Sequence, residues 1–284
     1  DNLNAGVTRL IFGLGKKALL SSAAGAIAQE AFSLPSSALS PVYAWTGAIS
    51  YALQIYFDFS GYTDMALGLA LRGQMFFREA LEAYSIGLTY DPFMSLLYRH
   101  RGHAYVNLGQ YQEAAADFEM GLRIDPKNWD CWYHLGLSYH LMGSYERALK
   151  AYETCYALSP TDEYRICTTD WYCMTLMKMG RIDDMRKAAA RIHADMEPGM
   201  SEGYFDRVLV YNGTRNIDEV LAEAAAKDDH MYATGAYGLA VYEEYVLGNR
   251  EKAKEILTRI AGRDETWGGF AEHAAADQLK HWDD

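Results

Sequence analysis

The feature that most constrains this chain is a repeat: Pro92, Pro126 and Pro160 stand 34 positions apart. Ala80, Ala114 and Ala148 keep the same spacing, and so do the aromatics Tyr84, Phe118 and Tyr152. Gly102 with Gly136, Tyr105 with Tyr139, Gly109 with Gly143, and Tyr98 with Trp132 follow it too. A period of this length marks a solenoid of helical hairpins, in which each unit needs a neighbour to bury its apolar face. The small residues are expected where paired helices cross closely, with the aromatics filling the space beside them. Gly109 and Gly143 are expected to end first helices in left-handed backbone. The proline of Asp125-Pro126 and of Ser159-Pro160 pushes the preceding residue away from helical geometry and stops the second helices.

These residue types resemble the tetratricopeptide repeat (TPR) family, most completely at Trp132, Leu135, Gly136 and Tyr139, followed by Ala148, Tyr152 and Pro160. Full repeats are read over Ser95–Asn128 and Trp129–Asp162, after a partial one that supplies only a second helix, Phe76–Tyr90. Its first helix would fall near residues 61–74. Looser pairs follow, Tyr172–Met179 with Ile182–Met196 and Glu202–Val210 with Ile217–Lys227, before a better copy returns at Tyr232–Leu247, Gly248 and Arg250–Ile260. A final polar helix, Trp267–Trp282, capped by Asp264 or Thr266, is expected to close the array. The expected fold is all-α: a TPR-like α-solenoid of helical hairpins over residues 73–284, preceded by an apolar membrane-type helical segment.

Charge separates the two parts. Residues 1–72 balance Arg9, Lys16, Lys17 and Arg72 against Asp1, Glu30, Asp58 and Asp64, so the net charge of -12 falls entirely on residues 73–284. An acidic solenoid lacks the basic stripe that phosphate binding needs, which excludes nucleic acid as its main partner. Cys131, Cys155, Cys167 and Cys173 form no C-x-x-C pair and are expected as reduced core thiols. The chain does not begin with Met, and it is expected to be a fragment.

Within the first 72 residues, Val42 to Phe57 carries only Thr46, Ser50 and Gln54 as polar side chains. That run falls just short of the roughly 18–20 residues needed to cross a bilayer, and extension to Leu71 would place Asp58 and Asp64 at membrane depth. Leu10 to Ile27 is also apolar, apart from Lys16 and Lys17. Residues 10–71 are thus a candidate membrane contact, with a buried hairpin of a soluble protein as the other reading. Gly13-Leu14-Gly15-Lys16-Lys17, Ala44-Trp45-Thr46-Gly47 and the run from Tyr51 to Ala66 resemble the membrane-bound O-acyltransferase (MBOAT) family. The resemblance is to its bacterial branch, which acetylates alginate or helps esterify cell-wall polymers. It implies a polytopic enzyme that moves an acyl group onto a polysaccharide hydroxyl. In that family an Arg-x-Trp-His stretch follows, and its His is the expected catalytic residue. Here the pattern stops near Leu71, and none of the eight histidines directly follows a tryptophan. A general base at the acceptor hydroxyl is required, yet no residue is assigned to it, so residues 1–72 are read as a catalytically incomplete piece. The junction truncates both modules, as a chimeric sequence would.

First helices of a tetratricopeptide array line a concave groove that binds peptides or other proteins. By register the groove positions are Arg99, His100, His103 and Asn107 in one repeat and Tyr133, His134 and His140 in the next, with Trp171 and Lys178 continuing the row. Lys, Asn and Arg clamp a terminal carboxylate in such grooves; only Arg99 and Asn107 match. His100, His103 and His134 could supply imidazoles to Zn²⁺, but they read better as ordinary groove polar groups, and no metal or cofactor is assigned. Asp58 and Asp64 are six apart, which places them on different helix faces. Met174, Met177 and Met179 read as core filling, and no P-loop, G-x-G-x-x-G or G-x-S-x-G is present. The expected function is a protein-interaction scaffold with an unknown partner, held at a membrane by residues 1–72 with its repeats in the cytoplasm. The alternatives are a fragment of a membrane-bound O-acyltransferase and a soluble cytoplasmic scaffold.

Overall fold

A computed structural model describes residues 15–35, 39–56, 77–227, 229–262 and 270–282. The chain divides into two compact units, residues 1–104 and 105–284. The described part is all-α, and residues 105–227, 229–262 and 270–282 form the expected solenoid of helical hairpins.

In the first unit, a π-helical turn Lys16–Ser21 leads into α1, Ser22–Ser33, and residues 41–56 form α2. Small residues let the pair approach: Ala24, Ala28 and Ala31 on α1 are buried. A Cβ added to Gly47 would come within 2.6 Å of the Ala31 Cβ. The Ser21 hydroxyl donates to the Gln54 carbonyl at 3.2 Å, and Phe32 meets Tyr51 edge-on. Large apolar side chains point away from this seam, including Val42, Trp45 and Tyr56, at 77, 70 and 62 % exposed. Among the described residues no helix is long and apolar enough to cross a membrane. The expected span ran on through Leu71, and residues 57–76, with Asp58, Asp64 and the 72/73 boundary, lie outside the described residues. α3, Phe77–Tyr90, and α4, Ser95–Asn107, follow. Ala80, Ala83, Tyr84, Leu88 and Leu97 form a small core there.

The second unit carries hairpin after hairpin. The elements are α5 (Tyr111–Ile124), α6 (Trp129–Leu141), α7 (Tyr145–Leu158), α8 (Asp162–Lys178), α9 (Ile182–Ala189), α10 (Glu202–Tyr211), α11 (Ile217–Ala225), α12 (Asp229–Tyr245), α13 (Arg250–Ala261) and α14 (Phe270–Lys280). Gly143 ends its hairpin's first helix at φ +72°, and a Cβ on Gly136 would stand 2.5 Å from Tyr152, so both glycines do what the repeat register demanded. α8 begins ten residues earlier than the pattern indicated, and α9 stops at Ala189 where a helix to Met196 was expected. One continuous core runs through α5 to α14, from Phe118 and Tyr152 to Leu257 and Ala275. Met174 and Met177 are fully buried in it, and all four cysteines are free and buried.

Candidate functional site

The predicted groove residues are placed unequally. In the first unit, His100 stacks on Tyr84 with ring centroids 5.8 Å apart, His103 is buried, and Arg99 is half-buried. In the second unit, Asn107 is half-buried, whereas Tyr133 lies inside, stacked on Trp129 at 4.9 Å. Trp171, expected to continue the groove row, is also core, 1 % exposed and edge-on to His140.

His134 and His140 are both buried, at 7 and 3 % exposed, on the face that α14 covers. The Nδ1 of His134 lies 2.8 Å from the Asp130 carbonyl and 2.9 Å from its carboxylate. The Nδ1 of His140 sits 2.8 Å from the Thr175 hydroxyl, which itself donates to the Trp171 carbonyl. With that hydroxyl proton committed, His140 must donate through Nδ1, and its buried Nε2 is left as an acceptor with no hydrogen-bond partner. Burial, then the nearby Lys178 ammonium, push the His140 imidazolium well below its usual range, so the ring is neutral.

Across this face lies α14, which sequence reasoning placed only as a terminal cap. Phe270 meets His134 edge-on at 5.4 Å. The Tyr111 hydroxyl donates to Asp277 at 2.6 Å. The Gln278 amide oxygen accepts from Lys178 at 3.2 Å and from Tyr237 at 3.4 Å, while its nitrogen donates to Glu244. Burial alone would raise the Asp277 carboxyl, but hydrogen bonds from Lys280 and Tyr111 outweigh it and hold it below the ordinary value. A polar cavity of about 370 Å³ remains beside the helix, walled by His140, Lys178 and Glu244 on one side and Asp277 and Gln278 on the other.

Lys178 is half-buried as a residue, but its ammonium end is enclosed, and burial pulls it down to about 8 against a smaller opposing pull from Glu244. The unfolded chain, with an ordinary value of 10.5, then holds more protons between pH 8 and 10.5. This residue's contribution to stability therefore rises with pH through that window, and below pH 8 the cost of the buried charge is fully present. Lys178→Met should abolish the rise. In urea titrations the wild type is expected to gain on the variant between pH 7 and pH 9.5, and an unchanged difference between them would refute the assignment.

Residues 102–143 match the family model described as TPR repeat, and residues 129–162 match the one described as Tetratricopeptide repeat. The chain therefore carries tetratricopeptide repeats. It is 35 % identical over 114 residues to the probable alginate O-acetylase AlgI of Pseudomonas aeruginosa, a match covering 38 % of this chain and 22 % of that protein. It is also 40 % identical over 70 residues to the peptidoglycan O-acetyltransferase of Helicobacter pylori, covering 25 % and 13 %. The chain thus spans about a fifth or less of the curated relatives it matches. A tetratricopeptide repeat protein from Parabacteroides merdae is similar in structure at 13 % identity and TM-score 0.49, over 90 % of this chain and 99 % of that one.

Proposed function

We propose that residues 73–284 are a protein-interaction scaffold whose concave face binds a peptide or protein segment. In this reading residues 1–72 are a catalytically incomplete O-acyltransferase-like piece that holds the scaffold at a membrane, with the repeats on the cytoplasmic side. The observation that carries the binding role is that the face already takes an 11-residue helix through side chains of three first helices, His134, Lys178 and Tyr237. The groove residues are Arg99, His100, His103, Asn107, Tyr133, His134 and His140. Apolar side chains exposed on α1 and α2 around a small-residue seam suit a lipid-facing hairpin.

The test compares proteins captured by the full chain, by Arg99→Glu/His134→Glu, and by Lys150→Glu on the exposed side of α7. A partner lost only from the groove variant supports the reading, and identical captures by all three defeat it. Anchoring by residues 1–72 predicts that the chain stays with membranes through an alkaline wash. A second reading, an acyl-transfer enzyme, is favoured by the identity to alginate O-acetylase. Formation of acetyl esters on alginate by the full chain would establish it.

A further inference from the structure

We propose that α14 is an internal ligand of the concave face, so that the face is built for an amphipathic helix and stays closed until a competing helix displaces it. This rests on the interaction reading above and names the kind of partner.

A terminal cap has only to cover the last hairpin of a solenoid. α14 does so with Ala275, which is buried, while Trp282 beyond its end accepts a hydrogen bond from Arg250 at its carbonyl. Its other side has no capping task, yet it reaches back to Tyr111, 166 positions away in sequence, and to His134 and Lys178. Residues 270, 274, 277 and 278 share a helix face, the i, i+4, i+7, i+8 pattern by which helices dock in grooves. The face reads an aromatic in the first turn, then an acid and an amide two turns on. Gln278 suits its position because an amide both accepts and donates, and it meets two donors and one carboxylate at once.

The fit is incomplete, which is the second observation. The cavity of about 370 Å³ beside α14 holds room for a larger side chain, and His140, with its unpartnered Nε2, lines it. A partner helix that carries a long donor side chain near the position of Gln278 would fill the space and satisfy that nitrogen. Such a helix would make every contact that α14 makes and one more, so it would outcompete the internal one.

The experiment uses a dye-labelled peptide of residues 270–284, titrated by fluorescence anisotropy onto the full chain, onto a chain ending at residue 262, and onto full-length Phe270→Ala/Gln278→Ala. The shortened chain should bind saturably, and the intact chain roughly tenfold or more weakly, because a face closed nine-tenths of the time reduces apparent affinity by that fraction. The double variant should fall between them. A shortened chain that still melts cooperatively and binds no better than the intact chain overturns the proposal. If shortening destroys the cooperative melt, the double variant decides, and wild-type affinity for the peptide overturns it. A groove-dependent partner captured without any peptide binding would sink the internal ligand and leave the scaffold reading standing. Peptide binding without such a partner would do the reverse.

Discussion

Replacing Asp170 with alanine is expected to lower the stability of the solenoid by about 3–5 kcal/mol. Asp170 on α8 is fully buried and Arg207 on α10 is 1 % exposed, and they pair through a short charge-assisted hydrogen bond. The Tyr211 hydroxyl donates to the other carboxylate oxygen at 3.1 Å. Burial pushes the Asp170 carboxyl up to about 6, with Arg207 and Tyr211 pulling it back, so at pH 7 it is ionised and paired. Truncation would strand a guanidinium that cannot lose its proton, among Tyr133, Tyr204 and Tyr211. The reverse change, Arg207→Met, leaves a carboxylate that can escape by binding a proton, so it should cost less as pH falls toward 5. Removing both charges in Asp170→Leu/Arg207→Met should recover most of the loss, because the desolvation penalty of both ions disappears with the pair. Urea titration followed by circular dichroism measures all three. An Asp170→Ala loss under about 1 kcal/mol would place the pair among weak surface bridges and refute its role.

That pair was illegible in the sequence, whereas the hairpins around it were not. Glycine and proline carry their reasons locally: Gly143 sits at positive φ, and Gly136 has Tyr152 against its backbone. Such constraints recur with the repeat and can be read without coordinates. Asp170 and Arg207 stand 37 positions apart, off the 34-residue register, on helices whose polar residues look like any solvated face. The same blindness hid the second role of α14. Its polar residues suited a terminal cap, and a polar side chain looks alike in sequence whether it meets solvent or Tyr111 and Lys178. The groove row suffered in the opposite sense, because register sets a residue's position along a helix but not how deeply the next helix covers it. His134, Tyr133 and Trp171 are all buried, His134 against Phe270 of α14.

Trp171→Ala is expected to cost about 3–5 kcal/mol, the range for truncating a large aromatic in a packed core. Trp171 is 1 % exposed, edge-on to His140 at 5.4 Å and tilted against Tyr237 at 5.9 Å. Its indole nitrogen is buried with no hydrogen-bond partner, so Trp171→Phe gives up volume alone and should cost clearly less. The alanine variant should also reach the concave face. Tyr237 donates to Gln278, and His140 lines the cavity beside α14, so a void behind both rings lets each relax away from the helix. Amide exchange in residues 270–280 should then speed up more than the global loss of stability explains, as local opening does. Uniform acceleration across the unit would mean that Trp171 supports the core without holding the face that α14 occupies.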